Sequence, residues 1–240
     1  MTTARTFILA VAIALAGLFV GLGFARGRAS DRFVVVKGVE ERPVRADLAI
    51  WPLHLVAANS DLARAHAQIE DNVQRVRAFL AQQGIDSTHV ALQDFSVSDA
   101  QANQYAGSNQ AGSRFVIKQT VIVRSTDPER IQRASQRVGE LVTAGVVLSS
   151  GAEYGGGGGP TFVFTKLNAL KPDMIARATA RAREAAEQFA RDSRASIGGI
   201  KQANQGVFEI LARDQAPGIN EPSQIEKTVR VVSTVEYFLK

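Results

Sequence analysis

The chain has 240 residues, 45% hydrophobic and 21% charged, with a formal net charge of +5 and no cysteine. That composition suits a globular body of one large domain or two small ones, and it excludes disulfides, thiolate metal sites and cysteine nucleophiles. Residues 1–32 hold four arginines against Asp31, so the remainder carries 24 basic and 22 acidic residues, a balance too even for nucleic-acid binding.

Phe7 to Phe24 is an uncharged run, FILAVAIALAGLFVGLGF, preceded by Arg5. As a helix it would span about 27 Å, near the roughly 30 Å hydrocarbon thickness of a bilayer. The length favours an uncleaved membrane anchor through residues 7–24, and a signal peptide cut after Gly23-Phe24-Ala25 is the alternative. Residues 1–25 are therefore read as anchor or signal segment, 26–32 as linker and 33–240 as the folded body. Arg26, Arg28 and Arg32 outnumber Arg5, a count that by itself would keep the body in the cytoplasm.

The body opens on four apolar residues, Phe33 to Val36, and breaks at Lys37-Gly38. A charged turn follows at Glu40, Glu41, Arg42 and Pro43, and a second apolar run starts at Leu48. Short β-branched runs around a Gly/Pro turn read as two strands. Pro52 puts the second strand, Leu48 to Ala57, at an edge or a bulge. Ser60 can cap a helix whose Leu62, Ala65, Ile69, Val73, Val76 and Leu80 form one apolar stripe, and Gly84 with Ile85 closes it as a Schellman ending.

Val90, Leu92, Phe95 and Val97 make the next strand, with a parity switch at Gln93-Asp94 that marks a bulge. Residues 99–113 form a polar loop, and Phe115, Ile117, Val121 and Val123 alternate along a strand with one wet face. Thr126-Asp127-Pro128-Glu129 starts a helix with a cap, an early proline and a capping-box glutamate. Ile131, Ala134, Val138, Leu141 and Val142 supply its buried face, and Gly145 ends it.

Strands at 146–154 and 161–165 flank five glycines, Gly155 to Gly159. Pro172 opens the longest helix, with Ile175, Ala178, Ala182, Ala185 and Phe189 as its core stripe and small residues that allow another element to approach closely. Gly198-Gly199 ends it, and Gly206 to Ala212 and Thr228 to Leu239 are the last strands. The order β-β-α-β-β-α-β-β-α-β-β gives an α+β fold with antiparallel sheets and helices on one face. Residues 48–154 alone read β-α-β-β-α-β, a ferredoxin-like core, and the recurring α-β-β unit points to two related halves.

No catalytic, cofactor-binding or metal constellation emerges. His54, His66 and His89 fall on three separate elements without ligand spacing. Gly159 runs into Pro160 and an apolar stretch, where a phosphate loop would need Gly-Lys-Ser/Thr and a helix. Asp47, between the charged turn and a strand, is the best single candidate for a catalytic carboxylate. The competing reading makes it a turn residue bonded to backbone N–H groups. Arg177, Arg181, Arg183 and Arg191 are interleaved with Glu184 and Glu187, the pattern of a solvated or oligomer-facing surface.

VVVKGVEERPVRADLAIW, residues 34–51, resembles the opening signature of the SIMPL-domain family: an apolar strand, a glycine, a charged stretch, then Pro-Asp-x-Ala. Gly38, Asp47 and Ala49 match, while Ala46 stands where proline is usual and Glu40 where a second glycine is common. ARATARAREAAEQFARDSRASIGGI is similar to the family's Ala-rich helix ending in glycine, and Gln83-Gly84-Ile85 to its earlier helix ending. The resemblance implies an exported or anchored α+β envelope protein, self-associating in some members, with no established enzyme activity.

The expectation is a single-pass inner-membrane protein with its body in the periplasm, non-enzymatic and homo-oligomeric, with an interaction or stress-related role. The alternative for the segment is cleavage and a periplasmic body. A small-ligand-binding module with the 99–113 loop and the glycines as a lid, or an enzyme using Asp47, are the alternatives for function.

Overall fold

The computed structural model describes residues 13–23, 32–101, 113–149 and 158–240. Residues 13–23 form α1, the rest of the 7–24 run lies outside the described residues, and no helix among the described residues is long and apolar enough to cross a membrane. The rest is α+β, with two antiparallel sheets distributed over two compact units. Each unit is assembled from separate stretches of chain.

The first unit is built from residues up to Arg42, Asn168–Glu209 and Val229–Lys240. Its strands are β1 (Phe33–Arg45), β7 (Ile197–Gln205) and β9 (Glu226–Leu239), in the order β1-β9-β7. The proposed break at Lys37-Gly38 does not exist: β1 runs unbroken through the charged stretch to Arg45. Gly38 serves a close approach. A Cβ placed there would lie 1.9 Å from the carbonyl oxygen of Ala178 and 2.5 Å from the amide nitrogen of Ala182.

Both alanines belong to α5 (Leu167–Asp192), which starts five residues earlier than expected and carries Pro172 near its beginning. Its buried stripe is Met174, Ala178, Ala182, Ala186 and Ala190, a strict four-residue repeat. Ala178 and Ala182 are buried as expected, but Phe189 is 51% exposed, Ala185 is exposed and Ile175 only half-buried, and Met174, Ala186 and Ala190 take their places in the stripe. The cause is steric. Where helix backbone meets strand backbone at a glycine, the seam admits methyl groups and no phenyl ring. Ala182 and Ala186 pack with Val34, Val235 and Tyr237 in a small core. Strand β7 was not foreseen, because its sequence, IGGIKQANQ, is polar and almost wholly exposed.

The second unit comprises Pro43–Leu167 and Ile210–Thr228. Its sheet runs β3 (Val90–Asp99), β4 (Phe115–Ser125), β2 (Leu48–Asn59), β5 (Leu148–Ser149), all antiparallel, with β6 (Thr161–Val163) sharing the β2 edge with β5. This is the strand order of a ferredoxin-like core, as the element order over 48–154 implies. The remainder of the last strand expected there, residues 150–154, lies outside the described residues, as do most of the 99–113 loop and Gly155 to Gly157.

Strands β2 and β4 pair without a break from Ala49↔Ser125 to Asn59↔Phe115, which places Pro52 opposite Ile122 in an interior strand and not at an edge. Helix α2 (Leu62–Gln82) lies over β2 and β4 and buries Ala65, Ile69, Val73, Val76 and Leu80. Its cap is Asp61, whose carboxylate accepts the Arg64 N–H at 3.0 Å, in place of Ser60. The Schellman ending is present: Gly84 has φ +73°, and Ile85 donates to the Leu80 carbonyl and is buried. The helix expected over 126–145 is two pieces, α3 (Pro128–Gln136) and α4 (Gly139–Thr143), the first capped by Asp127. Trp51 and Leu55 of β2 pack with Ile131 and Leu141 in the main core. Strand β8 (Glu209–Ala212) pairs with β9.

Candidate functional site

Asp47 sits in the two-residue gap between β1 and β2, and its hydrogen bonds define its role. Its backbone N–H donates to the Val163 carbonyl at 3.0 Å. Its carboxylate accepts from the Thr165 N–H at 2.7 Å and from the Thr165 hydroxyl at 2.8 Å. Ala46, next to it, donates to the Ile225 carbonyl at 2.8 Å. The corner between the first two strands is thereby stitched to the segment leaving β6. Both carboxylate oxygens accept hydrogen bonds, the arrangement of a structural clip.

Burial alone would push the Asp47 carboxyl up, but the Thr165 N–H and hydroxyl, with Lys166 at 3.8 Å, outweigh it and hold the group below the ordinary carboxylate value. A depressed folded-state value means the ionised clip stabilises the protein above the unfolded value, about 3.9, and that this contribution is lost as the pH falls through the folded value. Asp47→Asn is therefore expected to lose about 1 kcal/mol at pH 7. The gap to wild type should narrow in urea melts as the pH drops below about 4. A gap unchanged by pH would place the stabilisation elsewhere than in the carboxylate charge.

The other sequence candidates stay apart. His54 Nδ1 lies 3.0 Å from the Thr120 hydroxyl on the neighbouring strand. His66 faces Glu70 one turn away, and His89 ends a short 3-10 turn. No three metal-binding side chains converge among the described residues. Gly158 and Gly159 bend into Pro160 and then β6, a strand that pairs with β2. Along α5, Arg177 pairs with Asp173 and Arg183 with Glu187, both within the helix. Arg191 donates to Gln188 at 2.7 Å, and Arg181 reaches Glu40 at 2.9 Å and the Val39 carbonyl at 2.7 Å. Glu40 is thus a buried carboxylate held by an arginine of α5.

The surface feature that remains lies along β3. Among the described residues this strand ends the sheet, and nearly every residue in it is exposed, because α2 covers β2 and β4 and leaves β3 as an open shelf. The expected bulge is present. Pairing with β4 shifts between Gln93 and Ser96, Asp94 has φ +55°, and the Gln119 side chain donates to the Gln93 carbonyl at 2.7 Å.

The shift has a consequence for side-chain direction. Leu92 pairs opposite Val121 and Val97 opposite Ile117, both core-facing positions, although the two lie five positions apart and would take opposite faces of a regular strand. Phe95 joins them beside His66, their rings meeting edge to face at 6.3 Å. The result is an apolar strip of Leu92, Phe95 and Val97, 44%, 52% and 47% exposed. Leu92 and Phe95 floor a trough of about 680 Å³ walled by α2, and Phe95 and Val97 line a second hollow of about 580 Å³ that also shares His66. The sequence places these side chains on a bulged strand and does not say whether they are covered. The bulge was the available signal that they share a face, and nothing local reveals that no helix covers them.

The family model for SIMPL, described as a protein of unknown function, matches residues 34–237. No curated protein matches the chain.

Proposed function

The chain belongs to the SIMPL family of proteins of unknown function, and from that premise we propose that it is an exported, non-catalytic protein that works by self-association. The observation that supports this most is the uncovered apolar strip Leu92-Phe95-Val97 on an edge strand. Contiguous exposed apolar surface on an edge marks an association site, and edges left open invite pairing with another chain. Asp47, the best catalytic candidate, is engaged as a clip. Light scattering on the full chain in detergent micelles should give a protein mass above one chain at micromolar concentration; a strictly monomeric chain would remove self-association.

Export is the finer part of the proposal and rests on the 18-residue apolar run 7–24, held in the membrane or cleaved. Alkaline phosphatase fused after Lys240 should be active, and activity confined to a cytoplasmic reporter would contradict a body outside the cytoplasm. A second reading, a binder of small apolar ligands, is favoured by the size of the trough, which falls within the roughly 300–1,000 Å³ of ligand sites.

A further inference from the structure

We propose that two copies pair along β3, antiparallel and about a two-fold axis at the bulge, so that the sheet of one copy continues into the sheet of the other. The inference rests on the self-association reading and names its surface. Its starting point is the open edge: β4 is the one partner of β3 among the described residues, so the outward N–H and C=O groups of Val90–Ser98 meet no other described strand. Neither lysine nor proline occurs in VALQDFSVSD, and the guards it does carry, the bulge and the Asp94 charge, both fall at its centre.

The side-chain register makes the edge complementary to itself. In a regular strand, two-fold antiparallel pairing sets residues of equal parity opposite one another, since opposed residues share a face. Leu92 and Val97 could not then be opposed. The bulge between Gln93 and Ser96 removes that restriction. With the axis between Asp94 and Phe95, Leu92 of each copy lies against Val97 of the other, and Gln93 of each against Ser96 of the other. Leu92 meets Val97 on the shelf face and Gln93 meets Ser96 on the opposite face, while at the axis itself Asp94 of each copy lies against Phe95 of the other. The two Phe95 rings flank the axis, where each loses the half of its surface that is now exposed. Aromatic and β-branched cross-strand pairs are the units that stabilise such a junction. The two shelves then merge into one apolar floor.

The absence of cysteine permits a direct test in the full chain. Gln93→Cys and Ser96→Cys are made as separate variants, co-expressed or expressed alone, and oxidised in detergent micelles. Both positions are exposed, so folding should be undisturbed. Disulfide-linked dimer from the co-expressed pair should exceed that from either variant alone by about an order of magnitude. Opposed Cβ atoms lie about 4.5–5.5 Å apart, whereas like positions are offset along the strand by the two-residue length that the bulged stretch spans against Lys118–Thr120, about 7 Å, in addition to the strand spacing. A chain that is oligomeric by light scattering yet shows no preference for the mixed pair overturns the β3 pairing and leaves self-association standing. A monomeric chain overturns both, and the trough then belongs to a different occupant.

Discussion

Gly38→Ala is expected to destabilise the protein by about 3 kcal/mol, the upper end of what inserting one methyl into a close-packed seam usually costs. The reason is that the clash is with backbone on both sides. The new Cβ would sit 1.9 Å from Ala178 O and 2.5 Å from Ala182 N, and neither atom can rotate away as a side chain could. Strand and helix must separate, loosening Ala182 and Ala186 from Val34, Val235 and Tyr237. For a chain of this size the melting temperature should fall by roughly 6–12 °C. Phe189→Ala, on the exposed side of the same helix, should change stability by less than about 0.5 kcal/mol. A tolerated Gly38→Ala, or a damaging Phe189→Ala, would mean that α5 packs by another face.

The second large effect is expected at Lys227. This lysine is wholly buried at the start of β9, where its ammonium donates to the Glu221 carbonyl at 2.7 Å and pairs with the Glu221 carboxylate. It holds the short turn Glu221–Ser223, which packs beside β6, to the strand. Removing one partner of a buried pair typically costs about 3–5 kcal/mol. Lys227→Ala should fall near about 3, because the Glu221 side chain, 33% exposed, can be rehydrated. Lys227→Met keeps the stem and should lose about 1–2 kcal/mol, the penalty of the acceptors left without a donor. Urea midpoints ordered wild type, Met, Ala would bear this out. An alanine variant as stable as wild type would contradict it.

How far the fold could be read from the chain depended on whether local pattern and packing agreed. Helix α2 was legible because Ile69, Val73, Val76 and Leu80 meet a sheet of ordinary side chains, so size and burial coincide. In α5 they diverge. The helix buries its smallest residues and exposes Phe189, since Gly38 brings the β1 backbone against it. The same glycine made β1 look interrupted, because a residue needed for close approach and a residue needed for a turn are the same residue. Strand β7 escaped notice because an exposed edge strand pairing with β9 needs no apolar alternation.

The site was half legible. The parity switch in β3 was visible, and with it a bulge, but that Leu92, Phe95 and Val97 stay uncovered depends on where α2 ends up in space. Asp47 drew attention as an isolated carboxylate between two strands. Its partner, Thr165, lies 118 residues away, a distance no local pattern spans.

Sedimentation equilibrium of the full chain in detergent, beside its Phe95→Glu variant, tests self-association through β3 most directly. Phe95 is half exposed, so glutamate there should leave the fold intact while setting a carboxylate directly against Asp94 of the other copy at the two-fold axis. The account predicts a protein mass of twice 25.7 kDa for the wild-type chain and 25.7 kDa for the variant at micromolar concentration. A wild-type chain that stays at 25.7 kDa, or a variant that assembles as well as wild type, would contradict it.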